Sequence, residues 1–211
     1  MLHQETIDTP TLELLISLQG KDYLNGFFLV GGTALALYLG HRKSVDIDLF
    51  INVSFDASQL LENIHQDFPY QLSYTAVNTL KGSINDVKVD ILAHRYKLIQ
   101  EPTVFGGIKM LSEPDIVAMK LNAIATSGQR SKDFIDIFYL LDNYDIGSML
   151  SFYKTKYNQQ NDTFLLKSLI YFDEVDLSDW PVMVKTPGLK WNDVKKRIDK
   201  SVMQYIKKQH T

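Results

Sequence analysis

The 211-residue chain contains no cysteine, which excludes disulfides, thiolate zinc sites and a cysteine nucleophile and agrees with a reducing compartment. It also lacks any apolar run of membrane-spanning length. Where a signal peptide would need an apolar stretch, the N-terminus carries His3, Glu5 and Asp8. A cytoplasmic protein with no membrane partner is therefore expected. Histidines are few, and His65 and His94 have no partners at zinc-ligand spacing. Basic residues are outnumbered, 22 Lys and Arg against 25 Asp and Glu for a net charge of -3, which argues against a globally basic nucleic-acid binder. The deficit is uneven. From Lys185 to Thr211 eight Lys or Arg face two Asp, a balance of +6 that leaves -9 for the preceding part. At 45% hydrophobic residues the chain can bury a substantial core, and its length suits a domain with a helical extension.

The densest pattern lies between Phe27 and Phe50. An apolar run ending at Val30 meets Gly31-Gly32-Thr33, a helical segment follows through Leu39, and a second strand runs from Val45 to Ile51. Backbone N–H groups of a glycine turn that opens a helix can face an anion such as a triphosphate, and Thr33 can cap that helix or touch a phosphate. In the second strand side chains alternate, so Val45, Ile47, Leu49 and Ile51 point one way while Asp46 and Asp48 point the other. Two carboxylates about 4 Å apart at an effective dielectric near 20 repel by roughly 4 kcal/mol, a cost that a divalent cation reverses. A solvated pair at a strand end is the plainer reading; the glycine pair beside it favours a metal. His41 reads as a turn residue.

Around this segment, Thr9 to Leu18 is predicted to be a helix ended by Gly20, and Asp56 to Asp67 a helix stopped by Pro69. Tyr70 to Val77 and Leu80 to Ala93 have strand character, with Asn78 and Lys81-Gly82-Ser83 as turn residues. Val87, Val89 and Ile91 alternate with Lys88, Asp90 and Leu92, so Asp90 leaves the apolar face and completes a three-carboxylate cluster if its strand lies beside that of Asp46 and Asp48. The order of elements predicts an α/β (α+β) core over residues 1–108, a mixed sheet flanked by helices, followed by a helical region over 109–211.

In that region Ser112-Glu113-Pro114-Asp115 reads as a capping box opening a helix to about Thr126. Lys120 sits inside the apolar stripe of Ile116, Val117, Leu121 and Ile124 and needs an anionic partner. After a turn at Ser127 to Ser131, Lys132 to Leu141 is a helix with Phe134, Ile137, Phe138 and Leu141 inward. Asp133 on that helix is one candidate partner for Lys120; Asp133 and Asp136 can alternatively serve as charges near a helix N-terminus. Three more helices are expected at Ile146 to Tyr157, Thr163 to Phe172 and Trp191 to Lys208. The last has an apolar stripe of Trp191, Val194, Ile198, Val202 and Tyr205, with Lys196, Arg197, Lys200, Lys207 and Lys208 on its other side.

The glycine pair, the short helix and Arg42-Lys43-Ser44-Val45-Asp46-Ile47-Asp48-Leu49-Phe50 closely resemble the nucleotidyltransferase domain of the abortive-infection AbiEii/AbiGii toxin family. Lys120 through Arg130, Lys132, Asp133 and Asp136 resembles the second signature of the same family. The resemblance implies a polymerase-beta-like nucleotidyltransferase core, and an enzyme that moves a nucleoside monophosphate from an NTP to an acceptor hydroxyl with Mg2+ (or Mn2+) as cofactor. It implies that Gly31, Gly32 and Thr33 hold the triphosphate, with Arg42 and Ser44 beside it. Asp46 and Asp48 would ligate two metals, and Asp90 would bind the metal nearer the acceptor and take the acceptor's proton. Lys120, Arg42 and Arg130 would offset triphosphate charge, while Lys132, Asp133 and Asp136 would shape the acceptor side or hold Lys120. A toxin role is implied as well, with a cognate antitoxin and a tRNA or other RNA acceptor. Two other functions share part of the pattern. A small-molecule nucleotidyltransferase of the aminoglycoside-modifying kind has the Gly-then-D-x-D core but is disfavoured by the second signature. A catalytically silent nucleotide-binding module is disfavoured by the three aspartates.

Overall fold

The computed structural model describes residues 2–209, which form seven strands and eight α-helices in two compact units, Met1–Ser112 and Glu113–Thr211. The first unit opens with α1 (Thr9–Gln19), started by the Asp8 carboxylate, which accepts from the Thr11 N–H, and by Pro10 in the first turn. Then come β1 (Phe28–Leu29), α2 (Gly31–Leu39), β2 (Ile47–Ile51) and α3 (Ala57–Asp67), the last capped by Asp56. Strands β3 (Gln71–Ala76), β4 (Thr79–Ile84), β5 (Val87–Ala93), β6 (Thr103–Phe105) and β7 (Ile108–Met110) follow. All seven strands join one mixed sheet in the order β3-β4-β5-β2-β1-β7-β6. Its centre is parallel, β2 beside β5, and β1 then runs antiparallel to β2 and parallel to β7.

Period-two alternation puts Ile47 and Leu49 of β2, Val89 and Ile91 of β5, and Leu80 and Ile84 of β4 on one face, where all six are fully buried. Helix α1 packs against β7, α2 against β2 and α3 against β4. The other face of β2 and β5 is left for polar side chains, and the site is built there.

The turn expected at Lys81-Gly82-Ser83 is instead the middle of β4. The chain reverses at Asn85-Asp86, both with positive φ of 49° and 64°, the backbone a two-residue hairpin requires. Gly82 is glycine for a different reason: a side chain there would meet the Tyr70 ring and the Gln71 carbonyl. A further hairpin, β6 and β7 around Gly106-Gly107, was not anticipated, and it carries the sheet across the 108/109 position at which the sequence reading divides the chain. At the opposite edge β3 is exposed at every residue, bears no charge, and has an irregularity between Leu72 and Tyr74 where its register with β4 shifts.

The second unit is a helical cluster. Helix α4 (Glu113–Thr126) packs against α5 (Ser131–Leu140), α6 (Ile146–Tyr157) and α7 (Asp162–Leu169), and α8 (Trp191–Gln209) packs against α5, α6 and α7. Fully buried Phe134 anchors it, 5.5 Å from the Phe172 ring and 5.8 Å from Trp191. Asp115, read as a capping residue, has its carboxylate 2.7 Å from Lys156 Nζ, an ion pair with both side chains fully buried. On α8, Val194, Ile198 and Val202 are buried and Trp191 and Tyr205 half-buried. Arg197 does not belong to the exposed basic side. Its guanidinium is 2.8 Å from Asp142 and 4.8 Å from the Phe138 ring centre. No described helix is long and apolar enough to cross a membrane.

Candidate active site

In the first unit the parallel pairing of β2 with β5 sets Asp48 directly opposite Asp90. Adjacent strands lie about 4.8 Å apart, so side chains from one register pair on one face are near neighbours. Asp90 is buried, and its Oδ1 accepts no hydrogen bond. Asp46 precedes β2 rather than lying in it. Its position is set through Thr33, whose hydroxyl donates to the Asp46 carbonyl. The same hydroxyl is 2.9 Å from the Ser44 Oγ, and Thr33 is itself buried. Thr33 thus ties α2 to the segment entering β2 rather than capping α2, whose N-cap position, Val30, supplies no side-chain cap.

Two glycines are needed because side chains of this same site press against them. Gly31 has φ of +72°, and a Cβ there would lie 2.5 Å from Asp48 Oδ2; a Cβ on Gly32 would overlap the Arg42 guanidinium. Arg42 is buried and donates to the Lys43 carbonyl at 3.1 Å. The opening of α2, whose first N–H groups have no partner within the helix, therefore lies between a carboxylate and a guanidinium. Gly31→Ala is expected to cost about 1–2 kcal/mol for the left-handed backbone alone. It should also cut transfer by roughly 100-fold, since Asp48 must move by a large fraction of an ångström. Melting temperature and turnover of the one variant check both.

A lysine that the sequence reading left unused completes the site. Lys88 Nζ is 3.3 Å from Asp90 Oδ2. Burial works against its charge, but Asp90, then Asp48 and Asp46, outweigh burial and hold its pKa above the ordinary lysine value. Beside Lys88 and Asp90 a cavity of about 450 Å³ opens over β3 and β4, with Ser73, Lys81 and Ser83 in its wall. Lys81 pairs in register with Asp90. The alternation that selected Asp90 also put Lys88 on its face, but only the strand pairing shows that the lysine is drawn inward, and Lys81 was hidden by its reading as a turn residue.

These residues fit a divalent cation. Asp48 and Asp90 share a register pair, an oxygen of Asp90 is buried without a donor, and oxygen donors are what Mg2+ and Mn2+ take. Among the described residues no three His, Cys, Asp or Glu side chains are gathered closely enough to hold a metal ion by themselves, so a cation held here would draw further oxygens from its nucleotide.

In the second unit Lys120 is buried, with Nζ 2.7 Å from Asp133 Oδ1 and 2.7 Å from Asp136 Oδ2. The lysine is a clasp from α4 to α5 that engages both aspartates, the pair that the family signature had offered for holding it. Exposed Arg130 adds a longer contact to Asp133, with Nε 4.0 Å from Oδ2. Lys132 does not join this set; it pairs with Asp179.

Comparison with known proteins bears on this arrangement. The family model described as nucleotidyl transferase AbiEii toxin, type IV toxin–antitoxin system, matches residues 14–73 and 65–204. The chain belongs to the AbiEii family. It is a nucleotidyltransferase, and both signatures fall inside the matched region. An uncharacterised protein of Aquifex aeolicus is 32% identical over 169 residues, 77% of this chain and 80% of that one. Among solved structures, MenT4, the nucleotidyltransferase toxin Rv2826c of Mycobacterium tuberculosis H37Rv, aligns with a TM-score of 0.58 at 14% identity over 91% of this chain and 82% of the other. JHP933 of Helicobacter pylori gives 0.56 at 17% identity over 97% and 96%. The AbiEii chain shares a fold with both.

Proposed function

We propose that this AbiEii-family enzyme transfers a nucleoside monophosphate from an NTP to a hydroxyl of an RNA acceptor, such as a tRNA, as the toxin of a toxin–antitoxin pair. The pairing of Asp48 with Asp90 beside the Gly31 turn carries the reading. It places acidic oxygen donors next to a helix opening suited to a triphosphate. In the reaction the acceptor oxygen bonds to the α-phosphorus, the bond from that phosphorus to the bridging oxygen breaks, and pyrophosphate leaves. Asp90, buried and with a lone pair unused, is the group to receive the acceptor's proton. Asp46, Asp48 and Asp90 would hold Mg2+ or Mn2+, which when bound supplies charge stabilisation to the attacking and leaving oxygens. Gly31 and Gly32 present backbone N–H groups and Arg42 a guanidinium to the phosphates. Thr33 and Ser44 position the segment that carries Asp46 into β2. Roles toward nucleotide and acceptor for Lys120, Arg130, Lys132, Asp133 and Asp136 rest on the resemblance to the family signature alone. The type IV toxin–antitoxin description of the family supports a cognate antitoxin.

Incubation with each labelled NTP, Mg2+ and total RNA tests the proposal: label incorporated into RNA is expected, and label on protein or on none of the substrates overturns it. The acceptor class has its own test on α8. Lys196 and Lys200 are exposed there, so changing both to Gln should lower the slope of log affinity for RNA against log salt by about two. Affinity for NTP should not change. An unaltered slope would return this face to a solubilising role.

A further inference from the structure

Lys88 has no place in the transfer chemistry described above, yet its ammonium is ion-paired with Asp90, the buried aspartate of the site. It reaches Asp90 at 3.3 Å from the neighbouring same-face position on β5. Asp46 and Lys88 are the residues one position beyond the last β2–β5 register pair, Ile47 with Val89. The Lys88 side chain is about half exposed while that of Asp90 is buried. The ammonium can therefore leave for solvent or for the adjoining cavity without any backbone movement, and the carboxylate cannot follow it.

We propose that Lys88 is a tethered competitor for the metal position: its ammonium occupies the aspartate face when no divalent cation is bound and must be displaced from Asp90 for one to bind. This rests on the reading of Asp46, Asp48 and Asp90 as the metal-holding set. A singly charged ammonium neutralises one of three carboxylates, so the face still attracts a divalent cation. The cation must nevertheless either expel a charge of its own sign or sit beside it. Bare metal binding is weakened in either case. A metal that arrives with a nucleotide is affected less, because the triphosphate supplies negative charge that the released ammonium can face. The lysine thus sets the order of loading, favouring the metal–nucleotide pair over free metal. Lys88 is a positioning residue in this scheme and touches no reacting atom.

Titration of the whole chain with Mn2+ alone, followed by calorimetry or by loss of the free Mn2+ paramagnetic signal, tests this without any turnover. Lys88→Met should bind Mn2+ at least tenfold more tightly than the parent, and Lys88→Arg, which keeps the charge, should stay within about threefold of it. A second readout covers the possibility that Lys88→Met is poorly folded. Without metal its melting temperature should fall below the parent's, since buried Asp90 loses the ammonium 3.3 Å from its Oδ2, and Mn2+ should raise it by more than it raises the parent's. Unchanged or weaker Mn2+ binding in Lys88→Met, with the parent binding normally, overturns the competitor role and leaves the aspartate reading standing. Asp48→Asn that still binds Mn2+ as the parent does, or no binding by parent and Lys88→Met alike, overturns the aspartate reading itself.

Discussion

Asp48→Asn should abolish nucleotidyl transfer, by roughly a thousandfold or more, without lowering the stability of the protein in the absence of metal. The two halves of this expectation come from the same geometry. Asp48 shares a register pair with Asp90, and both project from the polar face of the central parallel strands. At a separation of about 5 Å and an effective dielectric near 20, the pair repels by about 3 kcal/mol. Lys88 offsets part of that, since it is bonded to Asp90 and drawn also by Asp48 and Asp46. An asparagine has nearly the same shape as the aspartate, fills the same space beside Gly31, and removes one charge from an acidic cluster. The folded protein gains from this or is indifferent, while the nucleotide-bound state loses an oxygen donor that no neighbour can replace. Single-turnover kinetics with excess enzyme, paired with a thermal melt in chelator, separates the two halves. An Asp48→Asn enzyme with activity within tenfold of the parent would rule out the metal-holding role of this residue.

Lys120→Ala should be the most damaging single change in the second unit, costing about 3–5 kcal/mol. The ammonium is buried and lies 2.7 Å from each of two carboxylates, and Asp136 is fully buried. Its removal takes the ammonium away from two buried carboxylates at once, and the contact from exposed Arg130 to Asp133, at 4.0 Å, is too long to replace it. Lys120→Met with Asp133→Asn and Asp136→Asn replaces the whole set by neutral groups and should recover most of the loss, because no charge is then left without a partner. Denaturant unfolding of the single and triple variants checks this. NTP affinity of the folded triple variant adds the functional half: retained affinity makes Lys120 a clasp alone, and lost affinity gives it a part in holding the triphosphate.

Much of the fold was readable because its signals are local. Alternating apolar residues marked β2 and β5, and 3.6-residue spacing marked the helices, with α6 beginning and ending as expected at Ile146 and Tyr157. The family resemblance supplied what periodicity could not, the placing of β2 next to β5. Misreadings came where a local residue type had a long-range cause. Gly82 suggested a turn but serves to admit the Tyr70 ring. Arg197 suggested an exposed basic face but is held by Asp142 and Phe138. The β6–β7 hairpin had a legible sign, Gly106-Gly107 between Val104-Phe105 and Ile108, yet its three-residue strands are too short to show alternation. Within the site, Asp46, Asp48 and Asp90 declared themselves by type and face. Lys88 did not, since a lysine on a strand reads as solvent-facing until the partners across the sheet are known.

The irregularity in β3 bears on how copies of this protein behave at high concentration. An uncharged outer strand with every residue exposed offers a row of backbone donors and acceptors to any foreign strand, and the usual protection, lysines or prolines along the edge, is missing here. Between Leu72 and Tyr74 the row breaks step: the strand's pairing with β4 jumps by one residue, leaving Ser73 over. A bulge of this kind bends the strand and increases its twist. A straight incoming chain can then match the bonding groups before the bend or after it, but not along the full length. Solubility on this side of the sheet depends on one inserted serine instead of on charge, and so should be insensitive to salt.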